Sequence, residues 1–349
     1  MAPTARAAAQ TAPAGQNTSA DDTPSIRIGA VIFTDYTVQL QPKTVDAEGN
    51  AITFNSFNVG RSYINLTGKV SHLVAFRITP DVTRGTGKDN SLGGSYVFRI
   101  KYALVQLTLD DWMPRGSWVR LGIQQTPWVE FMEGVYRYRF QGQIFPEREG
   151  FISSSDAGVA LHSVLPGDYG DVQAGIFNGE GYQRAEVNDQ KAFMFRGTLR
   201  PLAGHALLHG LRLTGFWDQD AYVRNADRRR AIASITFEHP HLNAAFDYLA
   251  ASDRVSASAD ETRARGWSIW ATPRTRWGWE GLLRYDSVTP NTAEPARKHL
   301  AIAGLAYWFP HQGSVSTALM LDLDDTTFEH YVPDQATQKR FALHALVSF

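Results

Sequence analysis

The chain contains no cysteine, which rules out both a disulfide framework and a thiolate metal centre. That absence suits a polypeptide that must cross an oxidising periplasm unfolded. A run of eighteen apolar residues is missing too: the longest nearly apolar stretch, residues 301–309, is about half of what a spanning helix requires. A helical membrane protein is thereby excluded. A membrane β-barrel is not, because its strands alternate lipid-facing apolar residues with polar residues turned inward. Excess charge is also lacking, since 34 basic and 35 acidic side chains leave a net charge of −1, which argues against nucleic acid as a partner. Lysine is scarce, 7 residues against 27 arginines. Fixed, always-charged guanidinium forks suit a wall of placed charges better than a merely solubilised surface.

Aromatic residues are abundant, 12% of the chain with nine tryptophans. Residues 1–24 are rich in Ala, Thr, Ser and Pro without any period, and read as a disordered segment or the remnant of a secretory signal. The string Ala7-Ala8-Ala9-Gln10 resembles the small-residue end of such a signal. Residues 25–349 read as one barrel domain. The chain ends on a strand in which Phe341, Leu343, Ala345, Val347 and Phe349 alternate with Arg340, His344 and Ser348. An apolar strand running to the terminus would be an open edge unless it closes a barrel against the first strand. The terminal Phe349 also resembles the signal by which outer-membrane barrels engage their assembly machinery.

Segments of roughly ten alternating residues recur along the chain, the length of a tilted spanning strand. Sixteen are legible, approximately 26–40, 54–67, 71–80, 95–109, 117–126, 155–165, 169–178, 190–200, 207–218, 229–238, 241–251, 265–272, 275–287, 297–309, 313–324 and 337–349. Their connections alternate in length. Short turns such as Thr67-Gly68-Lys69, Pro166-Gly167-Asp168, residues 201–204, His239-Pro240-His241 and residues 310–313 share one end with both termini. Longer loops, among them 41–53, 81–94, 127–154, 219–228 and 252–264, share the other. This asymmetry predicts an all-β, sixteen-stranded transmembrane antiparallel barrel with short periplasmic turns and long extracellular loops. Trp112, Trp118, Trp277, Trp279, Trp308, Phe309 and Phe349 fall beside the turns, and Trp217, Tyr248 and Tyr285 near the loops, as two interfacial girdles. Within 95–109 the apolar phase switches near Val105, which calls for a bulge there.

Phase assigns the interior. Arg77, Arg99, Lys101, Arg120, Arg196, Arg200, Arg212 and Arg284 point inward from strands three to nine and thirteen, and Asp218, Asp247, Glu280, Asp286, Asp322 and Asp324 from strands nine to fifteen. Opposed walls of this kind would set a transverse field across a pore. Segment 126–150 is aromatic and charged, unlike a floppy external loop. It is expected to fold into the lumen as a third loop, with Glu130, Glu133, Arg137, Arg139, Glu147, Arg148 and Glu149 narrowing the passage. Asp322-Leu323-Asp324-Asp325 lacks the glycine and closing glutamate of a calcium loop and reads as the exit of a strand into water. The glycine turns Gly85-Thr86-Gly87 and Gly179-Glu180-Gly181 precede no helix that could cradle phosphate. His162 and Ser163, neighbours in a strand, face opposite ways and cannot act as base and nucleophile together, so no enzyme function is expected.

The stretch Phe57-Asn58-Val59-Gly60-Arg61-Ser62-Tyr63-Ile64-Asn65-Leu66, and Leu121 to Pro127 with Phe145, Glu147 and Arg148 downstream, resemble an early strand and the approach to the third loop in the phosphate-selective porin O/P family. The resemblance covers roughly the first 150 residues. It implies a sixteen-stranded, homotrimeric diffusion channel of the bacterial outer membrane, without a cofactor, passing small hydrophilic solutes or anions. Pores of that family are associated with lysine linings; here arginine would supply the charge for phosphate. A non-conducting barrel serving as a binding or structural surface protein is the competing expectation.

Overall fold

The computed structural model describes residues 22–85, 93–311 and 313–349; the expectations for residues 1–21, for Thr86-Gly87 and for Gln312 lie outside the described residues. The elements are β1 (Ser25–Gln41), β2 (Thr44–Val45), β3 (Ala51–Ile52), β4 (Asn55–Lys69), β5 (Val74–Arg84), β6 (Tyr96–Thr108), β7 (Trp118–Gln125), α1 (Pro127–Val135), α2 (Phe145–Arg148), β8 (Ser155–Val164), β9 (Gly170–Phe177), β10 (Ala192–Leu199), β11 (Leu211–Ala221), β12 (Asp227–His239), β13 (Leu242–Asp253), β14 (Thr262–Pro273), β15 (Trp279–Thr289), β16 (Arg297–Trp308), β17 (Ser316–Glu329) and β18 (Gln338–Ser348).

All but β2 and β3, which form a small hairpin in the first loop, join one closed antiparallel barrel of sixteen strands. Each strand pairs with its neighbours in sequence, and β18 closes on β1 through Val31↔Ser348 to Gln39↔Arg340. Phe349 completes the seam: its amide donates to the carbonyl of Ala30 at 3.0 Å, and its carbonyl accepts from the Ala30 amide at 3.1 Å. The outside is apolar by alternation. On β17, Leu319, Leu321 and Leu323 are exposed while Met320, Asp322 and Asp324 are buried; on β18, Phe341, Leu343 and Val347 are exposed and His344 is buried. An apolar band around a closed wall is the signature of a barrel standing in lipid.

Four sequence expectations need correction. The bulge in β6 lies at Lys101, not near Val105, because Thr79 pairs with Tyr102 but Pro80 with Ile100. Pro80 has no N–H for the ladder, and a bulge is where a strand tolerates that; both Lys101 and Tyr102 consequently turn inward and are buried. Trp118 and Trp308 are not girdle residues. Trp118 stacks on His162 with ring centroids 5.2 Å apart, and Trp308 packs on Tyr138 inside the barrel, whereas Trp112, Trp277, Trp279, Phe309 and Phe349 are exposed as expected.

The sorting of connections has exceptions on each end: the turn between β6 and β7, residues 109–117, is longer than the loop between β15 and β16, residues 290–296. The turn between β10 and β11 runs over residues 200–210, and the loop between β11 and β12 is only residues 222–226. The latter is short because oppositely charged residues lengthen the ladder, with Asp218↔Arg230 and Asp220↔Arg228 directly across from each other. The same effect carries β17 past the Asp322–Asp325 run, so that run is strand and not an exit to water: Asp324 faces Arg340 and Asp325 faces Lys339.

Gly122 in β7 holds φ near +120° and lies against the carbonyl of Ala103, where a Cβ would collide. Replacing Gly122 by Val is expected to lower stability by about 1–3 kcal/mol, read as a lower urea midpoint of the refolded barrel; an unchanged midpoint would mean the strand relaxes without cost.

Candidate functional site

The third loop enters the lumen through a helix whose start is written locally. Thr126 is extended and Pro127 occupies the first turn of α1, where its missing N–H and fixed φ do no harm. Trp128, Val129, Met132 and Val135 form the buried side of α1, and Trp128 packs against Phe216 of β11 with centroids 6.1 Å apart. The opposite side carries carboxylates aimed at the wall. Arg120 donates to Glu130 Oε1 at 2.6 Å, and Gln173 to its other oxygen at 3.1 Å. Glu133 accepts from Arg139 at 2.6 Å and from Gln125 at 3.1 Å, and Arg139 bridges onward to Glu147 at 2.9 Å.

Beyond α1 the chain crosses to the far wall and is fastened there at successive strands. Asn243 of β13 donates to the Val135 carbonyl at 3.0 Å. Arg137 pairs with Glu280 of β15 at 3.2 Å, Gln141 donates to Asp324 of β17 at 3.0 Å, and Arg284 of β15 donates to the Gln143 carbonyl at 2.8 Å. Lys298 of β16 holds Glu149 at 2.9 Å, and Arg230 of β12 donates to the Phe151 carbonyl at 2.9 Å. Between these ties lie rings: Tyr136 on Trp270 at 5.1 Å, Tyr138 on Trp308 at 6.0 Å, and Phe140 between Trp308 at 5.8 Å and Phe33 at 6.4 Å.

The sequence-predicted bases on the strands face inward, whereas Arg200 lies in the turn after β10, and most of them have a carboxylate beside them. Arg99 pairs with Asp81 at 3.0 Å, Arg196 with Asp171, Arg200 with Asp168, Arg212 with Glu238 and Arg284 with Asp286 at 2.6 Å. Arg77 bonds Asn65 and Thr79 and lies 4.2 Å from the Tyr102 ring, and Lys101 donates to the Tyr63 hydroxyl at 3.1 Å. Lys101, Arg196 and Arg284 are buried, because loop or neighbouring side chains cover them. Of the predicted acids, Asp247 is bonded by Ser234, Asp322 by His344 and Asp324 by Gln141 and Arg340, while Asp218 is buried without a hydrogen bond to one of its oxygens. Instead of two opposed walls, the described lumen shows local pairs distributed around it. The segregation of charge disappears because Asp81 and Asp171 sit on the basic wall beside Arg99 and Arg196.

Two spaces flank the crossing segment. A cavity of about 780 Å³ opens on the long-loop side, and Arg139 and Phe140 form part of its floor. A second, of about 340 Å³, lies on the turn side against Arg137 and Trp308. Residues 137–140 thus separate them. The larger space is bordered by Arg61, Arg139, Arg148, Lys298, Lys339 and Arg340 against only Asp35 and Asp324. The partners of Arg61, Arg139, Lys298 and Lys339, namely Asp81, Glu133, Glu147, Glu149 and Asp325, do not border the space, whereas Asp324, the partner of Arg340, does. Arg61 was overlooked as an interior residue although it shares a face with Tyr63. Lys298 and Lys339 were missed because strand ends carry weak phase information.

A closed wall with an apolar outside and a polar lumen occupied by its own third loop defines a porin-type outer-membrane barrel. No protein-family model matches the chain, and no curated protein does either. Solved structures do match it in fold. An anion-selective porin from Comamonas acidovorans superposes with a TM-score of 0.65 at 12% identity, covering 94% of this chain and 100% of that one. The outer membrane channel DcaP of Acinetobacter baumannii gives 0.62 at 10% identity, over 95% and 99% of the two chains. The trimer form of OmpT, an outer membrane protein of Vibrio cholerae, gives 0.60 at 12% identity, over 94% and 100%. Identities this low establish the fold, and the fold is that of the outer membrane.

The Arg284–Asp286 pair, with side chains 1% and 3% exposed, ties the loop through Gln143. Replacing Arg284 by Ala strands a buried carboxylate and is expected to cost about 3–5 kcal/mol. Protease cleavage within 136–149 of the refolded barrel checks this; a cleavage rate equal to the parent's would show that the other ties suffice.

Proposed function

We propose that this barrel is a porin through which small hydrophilic solutes diffuse passively past a constriction made by the third loop, with anions preferred. The observation that carries the anion preference is the border of the 780 Å³ space, six bases against two acids, with the carboxylates that pair with Arg61, Arg139, Lys298 and Lys339 off that border. At those four bases a solute meets the cation before its carboxylate, and in a narrow low-dielectric surround the nearer charge dominates. Guanidinium forks recognise phosphate and carboxylate bidentately, so phosphate-like oxyanions are the natural class, in keeping with the resemblance to the phosphate-selective family. The constriction is assigned to Arg137, Arg139 and Phe140, with Glu130 and Glu133 holding α1 in place, and Arg77, Arg99, Lys101, Arg120, Arg196, Arg212 and Arg284 serve as the charged wall behind it. Assembly as a homotrimer and delivery by the barrel-assembly machinery through the strand ending in Phe349 belong to the same reading.

Planar-bilayer recording tests it. The refolded barrel should give discrete conductance steps, with a reversal potential in a salt gradient of the sign for anions. The triple variant Arg61→Gln, Arg139→Gln, Arg148→Gln should move that potential toward cations, and Phe140→Ala should raise the step size. A correctly inserted barrel that never conducts, even as Phe140→Ala, would sink the channel reading in favour of a plugged barrel with a binding or structural role.

A further inference from the structure

The outer surface of β12–β14 departs from the rest of the apolar band at its long-loop edge. Three arginines there point away from the lumen. Arg229 on β12 and Arg263 on β14 flank Ser252 of β13 in the ladder, which sets them about 10 Å apart across two strand spacings. Arg265 lies one step lower, beside Ala250. Inward alternation of the buried Arg230 and Ala264 confirms the facing. Arg229 bonds Asp227 at 2.7 Å and Gln219 at 2.8 Å, and Arg263 bonds Glu261 at 2.6 Å. Arg265 makes no ion pair among the described residues. Asp260, the remaining carboxylate of that loop, pairs with none of the three. The Glu261 carboxyl is held below its usual range by its bond from Arg263, with Arg254 and Arg229 adding to the positive surroundings.

Directly beneath this cluster is the aromatic level, where Tyr248 is paired with Trp267 and both Trp217 and Tyr248 are exposed. Arginine at that height stands where lipid headgroups begin. Below the aromatics the same face is hollow. An apolar groove of about 550 Å³ runs down β10–β13, floored by Gly197, Gly215 and Ala233 and flanked by Leu199, Leu213 and Phe246. The ladder continues without a break from one to the other, since Arg229, Ala231 and Ala233 follow each other on the outer face of β12.

We propose that this face binds a phosphate-bearing membrane lipid, its headgroup phosphate taken by Arg229, Arg263 and Arg265 and one acyl chain laid in the groove over Gly215. Charge complementarity selects the headgroup: three forks around two carboxylates leave the site cationic, and arginine's planar donors match phosphate oxygens in pairs. The groove selects a lipid over a free ion, because it offers apolar area that inorganic phosphate cannot use.

Native mass spectrometry of the barrel in neutral detergent, titrated with phosphatidylglycerol, reads the site. One tightly held lipid is expected, with phosphatidylcholine binding far more weakly and inorganic phosphate failing to displace it. The variant Arg229→Gln, Arg263→Gln, Arg265→Gln should bind phosphatidylglycerol about a hundredfold more weakly, and the corresponding triple lysine variant should recover most of that loss. Gly215→Leu, where a Cβ meets nothing within 4 Å, should weaken binding by filling the groove without disturbing the wall. Undiminished binding by a triple glutamine variant that melts like the parent in detergent would overturn the proposal. So would equal retention of phosphatidylcholine, or displacement by inorganic phosphate alone.

Discussion

In hydrocarbon a backbone N–H or C=O has no water to turn to, and each one left unpaired costs several kcal/mol. The seam between β1 and β18 answers that constraint for this chain. Once Ala30 and Phe349 exchange hydrogen bonds, no edge remains in the barrel sheet, and the other properties of the molecule are arranged around the ring. Closure fixes the two-residue alternation, because a side chain can only face lipid or lumen. It also fixes where polarity must go. Outside, Leu and Phe meet the bilayer; inside, charged residues accumulate that could not be carried anywhere else.

The interior is where this barrel differs from a plain tube. Its lumen holds charges that would be costly to leave unsatisfied, and the third loop satisfies many of them. The loop is simultaneously a core, through Trp128, Tyr136, Tyr138 and Phe140, and a set of counter-ions to the wall, through Glu130, Arg137 and Glu149. Because its fastenings reach β12, β13 and β15–β17, the loop stands between the long-loop space and the turn-side space. Four of the bases bordering the long-loop space have carboxylate partners that do not border it, so a near-neutral chain coexists with a space edged by six bases and two acids.

The strand inventory was readable because alternation and turn chemistry are local. Phase on β11, β17 and β18 was correct to the residue. It failed in β6, where the extra residue Lys101 leaves Tyr102 turned inward, and the sequence carries no mark of that bulge beyond Pro80 on the neighbouring strand. It also failed for element ends, where Asp220↔Arg228 and Asp325↔Lys339 pairs extended strands past positions that looked like loop. Trp118 and Trp308 looked like girdle residues by proximity to turns, yet parity along their own strands turns both inward. The inward third loop was legible from its aromatic content, but its helices were not, since the nine residues of α1 are too few to show a clear period.

Composition and period by themselves determined that this chain spans a bilayer as a closed sheet, how many strands it uses and which end of the ring carries the termini, since those properties follow from hydrogen bonding and side-chain parity between near neighbours. Which charges meet was decided only by the fold. Arg137 finds Glu280, Lys298 finds Glu149 and Phe140 finds Phe33 across more than a hundred residues of chain, and no local pattern records a contact made by curling a sheet into a barrel and passing a loop through it. The same holds on the outside, where three arginines from two strands become one patch only because β13 places Ser252 between Arg229 and Arg263.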